Sequence, residues 1–557
     1  MSPPLLIRLL AAYAILLAAA FAGLWLYLGV DAEATVARAR IYSAWRGGQR
    51  VARAVVGPDD AAPALACEGA CTRAVDAVVA EGPILVARPL IIALSLVPGR
   101  DGLKATLGDR TAWLTPDDLL ACGAATGHNP FGEANVKLGI GPVENALRAL
   151  AAELRTTPER VLAEANLRRF SVRPAPDDER APLGVPLPDD ALTPDRMRRA
   201  VQDAADYLIR HQREDGGFEY WIDAVSGRRE RGYSWPRHGG AASFLAEAAA
   251  YTKDPATAHA AVKAARHMLD KATLRCGDRP CVGSGAVVDV GSTAMAVSTY
   301  AELVQSGLDL GLRDAIPPLT DFLRSQQRPD GEFMHFYDRH APGARDEQTQ
   351  YYTGEATLAL ARAYAVTRNP ADLAAARRAL AYMIGPRWRF FGDVYFYGNE
   401  HWTCQALEAL QAYGPTGDVL QDDALQDDAL RFCLKYNTFG RFIQRDHGGY
   451  NLHPLHLTRV SDTGSRTEAA AATLSAARAA GLDAATLAPL EGQVRRAIRF
   501  LIGFQFDPGP AHLMHDPAEM RGGFPGSAVD MAVRIDLAQH AGAGILRYLR
   551  YLEQPPR

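Results

Sequence analysis

From Thr193 to the C-terminus the chain alternates two kinds of apolar pattern. In one, apolar residues recur at i, i+3, i+4 and i+7 with Arg or Asp between them, which describes an amphipathic helix burying a single stripe. It occupies Pro194–His211, Ala256–Leu269, Ile316–Gln326, Ala371–Met383, Asp423–Tyr436 and Leu490–Phe504. In the other, a charged or hydroxyl cluster leads into a run that is small and apolar on every side. These runs begin near His238 (HGGAASFLAEAAAY), Asp289 (DVGSTAMAVSTYAEL), Tyr352 (YTGEATLALARAY), Glu400 (EHWTCQALEALQAY), Ser465 (SRTEAAAATLSAARAA) and Arg534 (RIDLAQHAGAGILRYL). A helix with no polar face is one surrounded by protein. Six pairs at a spacing of roughly 50 to 70 residues are too long for the commonest short solenoid units and suit helical hairpins with sizeable loops. The pattern therefore predicts a closed ring, an (α/α)6 toroid over 194–557, with Ala-rich helices inside and amphipathic ones outside. The polar openings then gather at one mouth, where helix N-termini offer unpaired N–H groups to anions.

Upstream the pattern changes three times. After a short N-terminal segment (1–8), Leu9 to Val30 is an uncharged apolar run long enough to cross about 30 Å of hydrocarbon. It is read as a transmembrane helix, with a cleaved signal peptide ending at Ala20-Phe21-Ala22 as the rival. Residues 31–172 mix short signals into a small α+β domain. Ile84–Leu96 reads as a buried strand or strand pair, and Leu103–Leu114 as a hairpin turning at Gly108-Asp109. Helices open at Thr115-Pro116 and Thr157-Pro158, each with a Thr cap and Pro at the first helical position. Residues 173–193, rich in Pro and acids, read as a linker.

Composition narrows the function classes. The 557 residues are 48% hydrophobic and 22% charged, with 60 Lys+Arg against 64 Asp+Glu, globular values without the basic excess of a nucleic-acid binder. Of seven cysteines, Cys67/Cys71 and Cys276/Cys281 bracket short loops and are disulfide candidates, which favours an extracytoplasmic toroid. The positive-inside tendency of Arg38, Arg40, Arg46 and Arg50 points the other way. Cys404 and Cys433, each inside a helical repeat, read as free buried thiols. The expectation is a single-pass membrane protein with a periplasmic or otherwise extracytoplasmic toroid.

A turn motif recurs within the ring: Gln212-Arg213-Glu214-Asp215-Gly216-Gly217-Phe218 returns as Gln327-Arg328-Pro329-Asp330-Gly331-Glu332-Phe333, with echoes at Gly448-Gly449-Tyr450 and Gly522-Gly523-Phe524. It reads as a helix stop, with Gly supplying the left-handed conformation. This turn and the Asp289 opening (D-x-G-S-T-A) resemble the terpenoid cyclase and protein prenyltransferase toroids. The single ring with acids and aromatics at its mouth is similar to the six-hairpin sugar-acting toroids, which include glycoside hydrolases, uronate-processing lyases and sugar epimerases. No D-x-D-D run occurs in the ring, no Asp, Cys and His set marks a zinc site, and no Cys-Gly-Glu-Gln is present. The sugar-acting resemblance is therefore favoured, and no metal or cofactor is expected.

Sugar chemistry needs acids and bases flanking the reacting bond. Glu355, Glu400, Asp289, Asp536 and His238 stand at inner-helix starts and are the candidate catalytic residues. Tyr233, Trp235, Tyr351, Tyr352 and Trp402 offer faces for stacking a sugar. Arg237, Arg466, Arg534, Glu468 and His540, with His401, offer contacts to hydroxyls or a uronate carboxylate. Each acid also suits a plain helix cap. The expected function is a membrane-anchored, cell-envelope carbohydrate-active enzyme taking a carbohydrate or glycan substrate. A non-catalytic binding toroid and a terpenoid or prenyl enzyme are the alternatives.

Overall fold

A computed structural model describes the chain except residues 1–14, 16–36, 85–86, 98, 125–139, 182, 346, 388–400, 414–422, 452–457, 508 and 554–557. It divides into two compact units, Met1–Ala181 with Pro510–His515, and Pro182–Gly509 with Asp516–Arg557.

The first unit is a six-stranded antiparallel sheet with helices. Its strands β1 (Ala39–Arg46), β2 (Gln49–Val56), β3 (Thr72–Pro83), β4 (Asp101–Leu107), β5 (Arg110–Leu114) and β6 (Asn166–Pro174) lie in the order β2-β1-β3-β6-β4-β5. The β4–β5 hairpin pairs Leu107 with Arg110 across the Gly108-Asp109 turn. Helices α1 (Pro89–Ser95), α2 (Pro116–Ala121), α3 (Ile140–Leu154) and α4 (Pro158–Glu164) complete it. Thr115 caps α2 in a reciprocal box with Asp118, and Thr157 caps α4 through the Arg160 N–H. One correction falls here: Pro89–Ser95, expected in a strand, is helical. A short apolar run has no periodicity to separate strand from helix, whereas Pro89 arrives with helical φ and no N–H to lose. Ile92 and Leu150 anchor the resulting core.

Among the described residues, the second unit is built around a ring of twelve helices in six hairpins. The outer members are α5 (Pro194–Arg210), α7 (Pro255–Ala272), α9 (Ile316–Ser325), α11 (Pro370–Ile384), α13 (Asp423–Ile443) and α15 (Ala484–Phe504). The inner members are α6 (Trp235–Thr252), α8 (Val290–Gln305), α10 (Tyr352–Thr367), α12 (Trp402–Tyr413), α14 (Val460–Ala479) and α16 (Ile535–Glu553). Each inner helix packs on the next, and α16 packs back on α6, so the ring closes. Packing follows sequence: α8 is buried from Val290 through Val304, whereas α5 buries only the stripe of Met197, Ala200, Val201, Ala204, Ala205, Tyr207 and Leu208.

The recurring turn is a strut between outer helices. Gln212 Nε2 donates to Gly216 O and to Ala260 O on α7, and Gln327 to Gly331 O and Ala375 O on α11. Gln444 reaches Gly448 O and Gln493 O on α15. Gln505 reaches Gly522 O and Ala200 O on α5, across the point where the ring closes. The glycines at φ +95°, +100°, +96° and +82° press on the neighbouring helix: a Cβ on Gly331 would stand 2.4 Å from Arg378 O.

Two further corrections follow. Cys404 and Cys433 are not free thiols but bonded to each other, tying α12 to α13; Cys67 is bonded to Cys71 and Cys276 to Cys281. Helical partners that lie in different helices leave no local spacing signal in a sequence. The expected single-pass membrane placement is also overturned: among the described residues no helix is long and apolar enough to cross a membrane. Of residues 9–30, only Ile15 is described.

Candidate functional site

The centre of the ring holds a cavity of about 290 Å³, counting its open mouth, lined by Gly240, Ser243, Phe244, Glu247, Met295, Arg362, Trp402, Gln405, Glu468, Gln539, Ala543 and Arg547. Every lining residue lies on an inner helix. Beside the cavity, sharing Glu468, Gln405 and Trp402 with its lining, lies an acid–base cluster. Glu468, 2% exposed on α14, places Oε1 2.6 Å from Nδ1 of His540 on α16. Glu468 Oε2 accepts from Gln405 Nε2 at 2.9 Å, and Gln405 Oε1 in turn accepts from Arg547 Nη2 at 2.7 Å. A carboxylate only accepts and a guanidinium only donates, so this chain fixes which way the Gln405 amide points and puts the shared proton on His540 Nδ1. Burial opposes charging of His540, but Glu468 and then Asp536 outweigh it and raise its pKa. Close approach of the helices makes the contact possible: a Cβ on Gly464 of α14 would stand 2.9 Å from the His540 backbone. The His401 ring, 2% exposed, lies edge-on to His540 at 5.0 Å and over Trp402 at 4.2 Å.

Below this cluster the cavity ends in buried ion pairs. Glu247 on α6 meets Arg362 at 2.5 Å, Arg550 at 3.6 Å and Arg547 at 3.9 Å, while Arg547 also pairs with Glu408. Burial works against the Glu247 charge, but the three arginines hold its pKa down to about 2. Glu302, buried beside it, is pushed up by burial and by the Glu247 charge.

The residues expected from sequence fall into three groups. Trp402 and Glu468 line the cavity, and His540 stands behind Glu468, bonded to it. Others are built into the walls. His238 is fully buried, with Nε2 donating to Ala264 O at 2.9 Å and Nδ1 accepting from the Tyr233 hydroxyl at 2.6 Å. Burial pushes its pKa down to about 3, so it is a neutral strut in a ring stack with Phe218, Tyr233 and Trp235. Arg466 lies over Tyr436 and Tyr450 at 4.7 and 5.5 Å. Asp289 caps α8, accepting from Ser292 N at 2.6 Å and Ser292 Oγ at 2.8 Å, and burial pushes its pKa up. Glu355 and Tyr352, in the first turn of α10 after the half-buried Tyr351, pack against α8, where a Cβ on Gly291 would meet both within 2.5 Å.

At a third place Asp536 accepts from Arg534 Nη2 at 2.9 Å and from Arg237 Nε at 3.2 Å, and Arg237 also donates to the Tyr220 hydroxyl. Against the penalty of burial, these arginines hold Asp536 far below the carboxylate range, a fixed anion rather than a proton donor. Glu400 lies outside the described residues.

Sequence reading missed Gln405, Glu247, Arg362 and Arg547 as functional residues. Their signal was present: Glu247, Arg362 and Arg547 are charges with apolar neighbours on both sides within inner helices, and a buried charge must have a partner.

No protein-family model matches the chain, and no curated protein matches it. Solved structures do resemble it. A sugar epimerase from a ruminal bacterium is 12% identical with a TM-score of 0.47, over 64% of this chain and 98% of that one. Cellobiose 2-epimerase from Bacillus thermoamylovorans is 12% identical with a TM-score of 0.48, over 64% and 98%. An unsaturated glucuronyl hydrolase specific for heparin is 9% identical with a TM-score of 0.43, over 65% and 99%. These are six-hairpin α/α toroids, and the likeness is one of fold alone.

Proposed function

We propose that the protein is an enzyme acting on a carbohydrate, with the chemistry at the Glu468–His540 pair beside the central cavity. The observation that carries this reading is the ordered chain Arg547–Gln405–Glu468–His540 opening on a polar cavity beside Trp402. Glu468 holds His540 through Nδ1, which leaves Nε2 as the nitrogen able to take or return a proton, as a carboxylate does for a catalytic imidazole. Trp402 supplies a flat apolar face and Gln539 an amide for hydroxyls. Proton abstraction next to a sugar carbonyl or carboxylate starts both elimination and epimerisation, and a histidine–carboxylate pair suits that step. Hydrolysis is less well served, because Glu355 packs against α8 and Asp536 is a fixed anion.

The charged lining also speaks against the isoprenoid alternative. Arg362, Arg547 and Glu247 in the cavity wall are costly neighbours for a hydrocarbon. The test is a turnover screen of the purified protein on neutral and uronate-containing oligosaccharides, alongside Glu468→Gln and His540→Asn. Turnover that both variants abolish supports the reading. Turnover indifferent to both, or binding without turnover, removes it and favours a recognition module.

A further inference from the structure

Among the described residues, one group of ligating side chains outside any disulfide stands within mutual reach of a single ion: His401, Glu468 and His540, with one donor atom of each within 4.8 Å of the others. The three come from the residue that precedes α12, from α14 and from α16, so the ring itself brings them together. We infer that these side chains form a binding site for a divalent ion of the zinc class, beside the central cavity that Glu468 lines.

The donor chemistry selects the ion. Two imidazoles and one carboxylate suit zinc, cobalt or iron, whereas calcium and magnesium take oxygen. Ligands about 2.1 Å from a tetrahedral zinc stand about 3.4 Å apart. Donors that lie within 4.8 Å of one another close by at most about 1.4 Å on the ion, while the 2.6 Å contact between His540 Nδ1 and Glu468 Oε1 opens. The supports for such a site exist. Gln405 holds the second oxygen of Glu468, and Arg547 holds Gln405, the outer-layer hydrogen bonding that orients a metal-binding carboxylate. The Cys404–Cys433 disulfide ties down α12, which begins one residue after His401. Three protein ligands leave a fourth position for a water, and Glu468 is the ligand that also lines the cavity.

Its consequence for turnover rests on the proposed function. An ion takes Glu468 and a lone pair of His540, the two groups that proton transfer uses, so ion binding and proton transfer exclude each other. Zinc acts as an inhibitor reversed by a chelator.

The experiment uses the full chain. Chelator-treated protein is titrated with Co2+ and followed by visible absorption, then dialysed against Zn2+ and its metal measured. Expected are about one ion per chain and the intense band of a low-coordinate cobalt site. His401→Gln should lose both, and Gln405→Leu, which keeps all three ligands, should weaken binding 10- to 100-fold. Circular dichroism confirms that each variant is folded. No bound cobalt in folded wild-type protein, or binding unchanged in both variants, overturns the site. Where the site binds and a sugar is turned over, inhibition by zinc supports the exclusion and activation by zinc overturns it. Turnover unaffected by zinc at saturating occupancy overturns it as well. Stoichiometric binding without turnover of any sugar leaves the ion site standing and removes the proposed enzyme.

Discussion

On the proposed reading His540 meets a substrate only through the nitrogen that Glu468 does not hold, so the two residues are tested as one unit. Replacing Glu468 by Gln keeps the shape but removes the charge and one of the two acceptor oxygens, so Gln405 Nε2 and His540 Nδ1 can no longer both donate to it. Turnover on a responsive sugar should fall by about 10²- to 10⁴-fold, with KM moved much less than kcat. His238→Asn is the contrasting case. That imidazole is a buried strut with both nitrogens engaged, so its loss should cost about 1 to 3 kcal/mol of stability with kcat of the folded fraction retained. Thermal denaturation and steady-state kinetics on the same samples separate the two roles. Both histidines stand near inner-helix starts, and only the structure tells them apart.

Between elements, the Gln strut and its glycine carry the spacing of the outer helices. Gly331 adopts φ +100° and faces Arg378 O, so Gly331→Ala should destabilise by at least about 1 to 3 kcal/mol from backbone conformation alone. Gly343→Ala, where the nearest atom is 3.8 Å away, should stay within about 0.5 kcal/mol. Denaturant midpoints of the two variants check the difference. The turn's structural role was legible because Gln and Gly recur at fixed offsets, whereas the carbonyl each Gln reaches lies 48 or 49 residues away in the first three copies and 305 away in the fourth. No local pattern encodes a partner at that distance.

For the whole molecule, the ion pairs at the cavity floor make stability pH-dependent. Glu247 is held at about 2 against an ordinary 4.5. A depressed carboxylate contributes its full stabilisation above its unfolded pKa and loses it as pH falls through the folded one. Acid should therefore weaken the wild type between about pH 4.5 and pH 2. Glu247→Gln should be weaker at neutral pH and flatter across that window, as urea midpoints at several pH values will show. The sequence displayed the charge itself but not its three arginines, which come from two other inner helices.

Periodicity and residue size in this chain determined the mainly helical ring, because alternating amphipathic and Ala-rich helices can bury their surfaces only by pairing and closing. Thr-Pro caps likewise marked helix starts, and Gly108-Asp109 a hairpin, since both act over a few neighbouring residues. Tertiary structure alone decided which acids and bases meet. A helix turns about 100° per residue, so a small rotation separates a side chain facing the cavity from one in the wall. Glu468 fell on one side of that division, with His540 bonded to it, and Glu355, Arg466 and His238 on the other, through the packing of six helices against one another.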